Sequence, residues 1–480
     1  MALGLQSCPE DVVECIVQLL DLDDVRNLRL SSRTLAVKSS HHSFKDYFQS
    51  KHVDMTASAL DKFAQGTQAG DLRSLAQELH LIGIAPEAGD RKLTASNYGN
   101  HEEEERNTTQ EINLLSQAFD GLAKYAKGGN LPSLTLRVAV VRNDQERVLP
   151  VDTKLRAKSQ GVWQSTTRTF DTALRALAMS KLQIKSLNIF NDSDLQQCSL
   201  SCEKLDMVDW SDDGLVKSLS TLKSLSISVC TRVVIHKDND ENDDDADDSD
   251  EDDDDDSDDD DDEDSEDDDD DEDENEGGRG ITRAAVETQA EEEDESGFSG
   301  LAGLLSLCTQ LDDFELHYLA VRRPRSGRLD RSGSQRILQH AIEQKRLPTV
   351  KRCRIRGVTA NEVDLLSFIK RTRVSELSLA TMHLHTGTFG SIINYCTSEA
   401  ADLTKLYFNS LFIDIEETGM VHFVGERSTV CLYRDSEMLE RKGDDIRRPI
   451  PYHVSPPMFI GSPITMKWLE YQEMEFGSCE

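Results

Sequence analysis

The stretch Ser7–Leu35 reads SCPEDVVECIVQLLDLDDVRNLRLSSRTL, and its pattern predicts a series of short helices. Ser7 and Glu10 have the spacing of a capping box, in which a hydroxyl and a carboxylate each satisfy a backbone N–H group at a helix start. Pro9 falls in the first turn, where its missing N–H group costs nothing. The apolar residues that follow recur at helical spacing in a band too wide for one narrow stripe: Val12, Val13, Ile16, Val17, Leu19 and Leu20.

Two further helices and an aromatic group follow this first helix. Asp21 and Asp24 predict the start of the second helix, which carries Val25 and Leu28. Three short helices cannot bury so much apolar surface among themselves, so a partner or the next domain should cover the excess. The other apolar residues indicate a third helix and an aromatic set at i, i+3, i+4: Leu30, Leu35 and Val37, then Phe44, Tyr47 and Phe48.

The order of these features resembles an F-box: Pro9-Glu10, apolar Ile16 and Leu20, an Asp-Asp-Val turn, then Leu28-Arg29-Leu30 and Ser32-Arg33. The resemblance implies that the helices pack against a Skp-type adaptor, which tethers them to a cullin–RING ubiquitin ligase. It also implies, position by position, which residues form the adaptor-facing surface: Pro9, Glu10, Val13, Ile16, Val17, Leu20, Val25 and Leu28.

The sequence departs from the F-box pattern at two positions. Cys8 stands where the family usually has Leu, and no Trp follows Arg33. Because Cys8 is still a small apolar residue, the similarity there is weakened and not lost. The resemblance covers about a tenth of the 480 residues. The alternative is that these helices only cap the domain that follows them.

The net charge of −38 comes mostly from one segment of the chain. Asp238–Glu276 holds 32 of the 91 Asp and Glu residues and no Lys or Arg, so the remainder has a net charge of only −6. A broad basic face for direct nucleic-acid binding is therefore not expected. Like charges at this density cannot pack, so the segment is predicted to be disordered, with loose surroundings up to Gly297.

Beyond the first helices, a short motif of six residues recurs. Its first, fourth and sixth residues are apolar, and the other three vary. Alternate apolar side chains of a strand point into a core, so each copy predicts a short strand. A strand at His52–Thr56 and a helix from about Ala57 to Ala64 precede the copies. The nine copies are Ala76-x-x-Leu79-x-Leu81, Leu131-x-x-Leu134-x-Leu136, Ile184-x-x-Leu187-x-Ile189, Cys202-x-x-Leu205-x-Met207, Leu222-x-x-Leu225-x-Ile227, Leu311-x-x-Phe314-x-Leu316, Val350-x-x-Cys353-x-Ile355, Val374-x-x-Leu377-x-Leu379 and Leu403-x-x-Leu406-x-Phe408.

Helical patterns lie between these strands. A strand and a helix that repeat together bury their faces by stacking on their neighbours, which is the physical basis of a solenoid. Asn191 and Asn409 follow their strands at about the place where a leucine-rich repeat has its Asn. The spacing is irregular, so a general α/β domain with chance matches stays the alternative. The helical windows are Phe170–Met179, Leu301–Leu311, Arg336–Ile342, Val363–Ile369 and Phe389–Tyr395.

An F-box followed by degenerate leucine-rich repeats resembles a fungal substrate-receptor family, as do the runs Ser133–Arg142 and Leu187–Asn191. The predicted fold class is α/β: a short three-helix F-box, then an irregular leucine-rich-repeat solenoid with a long disordered acidic insertion. The insertion falls between a strand and a helix, where lengthening a loop costs little. The predicted domains are the F-box-like helices (1–52), the solenoid's first part (53–236), the acidic insertion (237–297), the solenoid's second part (298–419) and a C-terminal cap (420–480).

Three polar stretches are predicted to be surface loops. Glu102–Glu105 and Asp144–Lys158 lie between predicted elements. The basic stretch Arg322–Arg331 also has the composition of a loop, and three further roles stay open for it. It could contact an acidic partner, fold back on the acidic segment or act as a nuclear targeting signal.

No catalytic motif, phosphate-binding loop or metal-ligand spacing stands out, so we predict no enzyme, no cofactor and no metal site. The ten Cys residues are scattered and follow no signal peptide, which indicates reduced thiols in the nucleus or cytoplasm. No run of eighteen apolar residues predicts a membrane span. Cys15, Cys353 and Cys431 lie in apolar patterns typical of a core, and Cys396 near His385 is more typical of a core thiol than of a catalytic dyad.

These features predict the substrate-recognition subunit of an SCF-type cullin–RING ubiquitin ligase. The F-box would bind the Skp-type adaptor and through it a cullin, and the repeats would bind a protein substrate whose identity the sequence does not give. The alternative is a non-catalytic repeat scaffold. In that case the acidic segment binds histones or other basic proteins, and the first helices only cap the solenoid.

Overall fold

The computed structural model describes residues 4–40, 44, 47–70, 72–86, 101–126, 128–141, 147–148, 159–191, 198–231, 298–319, 334–414, 418–426 and 436–455. Within them the chain is a mixed α/β protein with a large, mostly parallel sheet and a smaller second sheet. The twelve helices of these ranges are α1 (Glu10–Val17), α2 (Leu22–Ser31), α3 (Arg33–Lys38), α4 (Ala57–Gln68), α5 (His101–Tyr125), α6 (Ser159–Ser180), α7 (Cys202–Asp206), α8 (Asp213–Leu219), α9 (Ser299–Leu307), α10 (Gln335–Glu343), α11 (Glu362–Thr372) and α12 (Gly390–Thr397).

Seventeen strands lie in the same ranges. They are β1 (Ser50–Asp54), β2 (Glu78–Pro86), β3 (Asn130–Val141), β4 (Arg147–Val148), β5 (Gln183–Ile189), β6 (Leu200–Ser201), β7 (Ser224–Cys230), β8 (Asp313–Leu319), β9 (Arg352–Arg356), β10 (Thr359–Asn361), β11 (Glu376–Ala380), β12 (His383–Thr386), β13 (Lys405–Asn409), β14 (Phe412–Asp414), β15 (Thr418–Phe423), β16 (Met438–Lys442) and β17 (Tyr452–Ser455).

The large sheet follows the chain in order. Its strands pair as β1-β2-β3-β5-β7-β8-β9-β11-β13-β16, with β4 added beside β3 and β6 beside β7. Each pair along this path is parallel except the last, in which β16 runs antiparallel to β13. Since β7 pairs directly with β8, the predicted first and second parts of the solenoid belong to one continuous sheet.

The apolar positions of the recurring motif are aligned across this sheet. Two rows of side chains run from β2 to β13, and none of them is more than 2% exposed. This alignment confirms eight of the nine predicted strands. The first row is Leu79, Leu134, Leu187, Leu225, Phe314, Cys353, Leu377 and Leu406, and the second is Leu81, Leu136, Ile189, Ile227, Leu316, Ile355, Leu379 and Phe408.

Beyond the first three helices, two of the predicted elements differ from the structure. The motif copy at Cys202 forms the helix α7, which packs against α9 and is not a strand. The stretch Glu102–Glu105 lies in the long helix α5 and is not a loop. The apolar pattern of this helix lies further along it, where Ile112, Leu115 and Phe119 are buried at helical spacing.

The five-stranded second sheet has the order β10-β12-β14-β15-β17. Its first three strands follow β9, β11 and β13 after short turns, and each turn has a residue with positive φ: Gly357 (74°), Thr381 (49°) and Ser410 (50°). Backbone bonds link successive turns, since Gly357 N donates to Ala380 O and Thr381 N donates to Asn409 O. Three consecutive units of the chain therefore bend in the same way.

Several predictions fall outside the described residues. They are the disordered acidic segment, the basic loop Arg322–Arg331, most of the loop Asp144–Lys158, and residues 427–435 and 456–480 of the predicted C-terminal cap. The helical windows are confirmed, since each overlaps a helix from α6 to α12. Among the described helices, none is both long and apolar enough to cross a bilayer.

Candidate functional site

The first three helices form a small structural unit with a core of its own. We call α1–α3 together with Phe44, Tyr47 and Phe48 the N-terminal module. Its core is separate from the main core of the sheet, and five buried side chains make it up: Val13, Val17, Val25, Leu35 and Phe44. The predicted second and third helices are therefore present and packed around one centre.

Helix starts in the N-terminal module agree only in part with the predicted caps. Asp21 caps α2 as expected, because its carboxylate accepts a hydrogen bond from Asp24 N at 2.8 Å. The predicted capping box is wrong, since α1 begins at Glu10 with Pro9 as its N-cap and without a side-chain cap. Ser7 instead lies in a short 3₁₀ turn, where its hydroxyl donates to Gly4 O at 2.6 Å.

Two basic side chains turn inward and connect different parts of the N-terminal module. The Arg29 guanidinium lies 4.0 Å from the centre of the Phe44 ring and donates to Ala36 O at 3.2 Å. Lys38 Nζ donates to the carbonyl groups of Gln6 and Cys8, which holds the first turn against α3. These contacts satisfy backbone acceptors at helix ends and fix the helices relative to each other.

The eight residues expected to face the adaptor divide into three groups. Pro9 and Glu10 are exposed, while Ile16, Leu20 and Leu28 are half-buried. The remaining three were expected on the same surface, but their side chains do not reach the outside of the N-terminal module in this structure. Their side chains are fully buried in the core of the N-terminal module, because each lies on the inner face of its helix: Val13, Val17 and Val25.

Four other apolar side chains do reach the surface of the N-terminal module. Leu19 and Leu30 are 86% and 85% exposed, and Val37 and Val12 are 66% and 44% exposed. Scattered exposed apolar residues are ordinary, but four on so small a unit leave a large share of its apolar surface in water. The excess of apolar residues in the sequence had indicated such uncovered surface, although not which residues would provide it.

The outer face of the large sheet carries ion pairs between neighbouring strands. Arg354 Nη1 of β9 lies 3.0 Å from Glu315 Oε2 of β8, and just before these two strands Lys351 Nζ lies 2.8 Å from Asp312 Oδ1. Arg352 adds a third pair with Asp313. All three pairs are partly exposed to solvent, so each adds little stability. Each acidic residue lies opposite its basic partner in the register by which β8 pairs with β9.

At the other end of the same face, His52 of β1 stacks on His80 of β2. Their ring centres are 4.5 Å apart and the rings are inclined by 17°. Burial lowers the pKa of His52 below its ordinary value, and Arg137 lowers it further, while Glu78 opposes the change. These effects favour the neutral form of the His52 imidazole.

A buried hydrogen-bond chain crosses the sheet near the ends of its strands. Ser199 Oγ lies 2.7 Å from Ser228 Oγ, which lies 2.9 Å from His317 Nδ1. A serine beside a histidine is an arrangement that can activate a nucleophile. These three side chains are no more than 2% exposed, so a substrate would not reach them, and they link β7 to β8.

The thiols divide between core and surface. Burial raises the pKa of Cys353 and of Cys396 to about 12, which keeps both thiols protonated and poorly nucleophilic. Cys353 thus lies in the core as predicted, and Cys396 is buried while His385 is exposed. Cys15 is exposed, so its predicted core position is wrong, and Cys431 lies outside the described residues.

Two surfaces of the described chain have features suited to binding: the apolar outer side of the N-terminal module and the charged outer face of the sheet. Within the described ranges, no group of three or more His, Cys, Asp or Glu side chains is arranged to hold a metal ion. Comparison of the sequence with models of known protein families and with curated proteins found no match.

Proposed function

We propose that the chain is the substrate-recognition subunit of an SCF-type ubiquitin ligase. In this proposal the N-terminal module is an F-box that binds a Skp-type adaptor, and through it a cullin. The observation that carries the proposal is the separate core of the N-terminal module, which closes on itself and still leaves Val12, Leu19, Leu30 and Val37 exposed. An appended unit with uncovered apolar surface is suited to docking a second protein.

The sheet with its helices acts as a leucine-rich-repeat-like solenoid in this proposal. Three observations support the repeat: the strands along the main path of the large sheet pair in chain order, the apolar rows stay aligned over eight strands, and successive turns bend alike at Gly357, Thr381 and Ser410. A stack of units is rigid along its length and presents a continuous outer face. The substrate would bind on that face at a fixed distance from the N-terminal module.

The mechanism that follows is proximity. The receptor holds a lysine of the substrate near the ubiquitin thioester of the conjugating enzyme, which raises the effective concentration of that lysine. Bond formation itself belongs to the conjugating enzyme. The exposed cross-strand ion pairs at β8 and β9 give the outer face a pattern of both charges, which favours a substrate with complementary charges over an apolar one.

The test is the affinity of the full chain for a purified Skp-type adaptor, measured by isothermal titration calorimetry. Ile16→Asp together with Leu20→Asp is expected to abolish binding, because a charge would be placed in the contact without a partner. Since both residues are half-buried, Val12→Asp with Leu19→Asp serves as a second variant that changes only exposed side chains. Val363→Asp, on the exposed side of α11, is the control. Wild-type affinity in both double variants would contradict the proposal.

A further inference from the structure

At the rim of the large sheet where helices end and strands begin, two neighbouring stretches of the chain carry exposed lysines. The stretch from the end of α6 into β5 contains Lys181 and Lys185, and the stretch from the end of α8 to β7 contains Lys217 and Lys223. All four residues are exposed, and together they are called the lysine rim.

Hydrogen bonds hold the two stretches side by side. Lys223 N donates to Lys185 O at 2.7 Å, and Thr221 Oγ1 donates to Ile184 O at 3.1 Å. Lys185 and Lys223 therefore occupy opposite positions at the start of neighbouring parallel strands, which run about 4.8 Å apart. Two side chains of the same charge are thus placed next to each other by the register of β5 with β7.

This arrangement is unfavourable for the protein on its own. Like charges at opposite positions of neighbouring strands destabilise a sheet. The two stretches, residues 180–185 and 217–223, contain no Asp or Glu, and no member of the lysine rim forms an ion pair with another described residue. The next residue along the row, Asp312, pairs instead with Lys351 at 2.8 Å.

Two exposed apolar side chains lie on the same stretches as the lysines. Met179 in the last turn of α6 is 55% exposed, and Val216 of α8 is 38% exposed. The two helices are in contact, since Ser218 Oγ of α8 donates to Leu177 O of α6 at 3.0 Å. The lysine rim and the two apolar side chains therefore belong to one region of the surface.

A structural role explains only part of the lysine rim. Lys217 lies in the last turn of α8, where the helix dipole stabilises a cation. Lys185 and Lys223 lie outside the helices, so the dipole does not explain them. Nucleic acid is bound by a broad basic face, whereas this surface is short and includes apolar side chains. An acidic polypeptide with an apolar anchor matches both features.

We infer that the lysine rim, with Met179 and Val216, is a docking surface for an acidic segment of a partner protein that carries an apolar side chain. Carboxylates of this segment would bind Lys185 and Lys223 and remove their mutual repulsion. Its apolar side chain would cover Met179 and Val216. The inference goes beyond the proposed function and is independent of whether the chain binds an adaptor.

The experiment measures binding of a fluorescein-labelled peptide, Glu-Glu-Leu-Glu-Glu-Leu-Glu-Glu, to the full chain by fluorescence anisotropy. Lys185→Glu with Lys223→Glu is expected to weaken binding about tenfold or more at low salt and less at moderate salt. Met179→Ser with Val216→Ser should weaken it about fivefold at both salt concentrations, because the lost contact is apolar. Lys62→Glu, at an exposed position of α4, is the matched control and should bind like the wild type.

The single variant Lys185→Glu separates binding from folding. It places opposite charges side by side, so the urea midpoint of the chain should rise while its affinity for the peptide falls. A lower midpoint would show that Lys185 serves the fold, and this result would overturn the inference.

Two outcomes of the binding measurement would also overturn it. The first is a folded Lys185→Glu, Lys223→Glu chain, checked by circular dichroism, that binds the peptide as tightly as the wild type does. The second is a single-stranded oligonucleotide of equal charge that binds the wild type more tightly than the peptide and is lost in the same variant. Adaptor affinity should be unchanged in every one of these variants, so failure here leaves the proposed function standing.

Discussion

Arg168 of α6 donates two hydrogen bonds to the Glu111 carboxylate of α5, from Nη2 to Oε1 at 2.7 Å and from Nε to Oε2 at 3.1 Å. The Glu111 side chain is 6% exposed, whereas that of Arg168 is 40% exposed. Burial raises the pKa of the Glu111 carboxyl above its ordinary value, although Arg168 acts in the opposite direction. The pair therefore joins two helices at a place where an unpaired carboxylate would be costly.

Arg168→Met is expected to lower the free energy of unfolding by about 2–3 kcal/mol, because Glu111 stays buried without its charge partner. Adding Glu111→Leu to the same chain should restore most of the loss, since both charges are then gone. Urea denaturation followed by circular dichroism gives the two values. A single variant as stable as the wild type would show that the pair contributes nothing.

The two faces of the large sheet differ in burial: the aligned apolar rows are buried on one face, and the side chains between them lie on the outer face. Phe314 is 2% exposed and lies 6.2 Å, centre to centre, from the Phe368 ring of α11. Phe314→Ala is expected to cost about 3–5 kcal/mol through the cavity that it leaves. Ser378→Ala, on the outer face of β11, should change stability by less than about 0.5 kcal/mol. Equal effects of the two substitutions on the denaturation midpoint would contradict this assignment of faces.

The buried His317 predicts how stability depends on pH. Burial lowers the pKa of His317 well below its ordinary value, and Arg356 on the neighbouring strand acts in the same direction. The unfolded chain therefore binds a proton near pH 6.5 that the folded chain does not, so stability falls as the pH drops from 7 toward 5.

His317→Gln removes this term, and the slope of unfolding free energy against pH should decrease by up to about 1.4 kcal/mol per pH unit. Denaturation series at several pH values between 5 and 7.5 measure the slope. A loss of stability that is the same at every pH leaves the slope unchanged, and this result would refute the assigned proton linkage.

Deletion of Asp238–Glu276 separates the ligase receptor from the scaffold alternative. The receptor proposal predicts that adaptor affinity stays within about twofold of the wild-type value, because the contact lies in the N-terminal module. The scaffold alternative instead predicts the loss of binding to a basic probe such as a histone, and no adaptor binding in either chain. A deletion that abolishes adaptor binding in a folded protein would contradict the receptor proposal.

The strands were predictable because their signal is local. Leu225 and Ile227 alternate within one short strand, and the same spacing recurs in the copies that form the aligned rows. The copy at Cys202 has the same spacing but forms a helix that packs on α9, so tertiary contact outweighed the pattern. The acidic start of α5 likewise gave no sign of a helix, because the buried apolar residues that the structure describes in this helix begin only at Ile112.

The site was harder to predict because burial depends on how helices pack. Val13 and Ile16 both belong to the apolar band of α1, yet only Val13 is fully buried. The sequence contains no direct sign of which side of a wide apolar band turns inward. Leu30 illustrates the same limit: it was expected in the third helix, but it lies in the last turn of the second and is 85% exposed.

The measurement that tests the central claim most directly is the assembly of the folded full chain with a purified Skp-type adaptor and a cullin, followed by size-exclusion chromatography with light scattering. The account predicts a complex with one copy of each protein. It also predicts that Val12→Asp with Leu19→Asp removes the chain from this complex without unfolding it. A folded wild-type chain that elutes alone beside an intact adaptor–cullin pair would contradict the account.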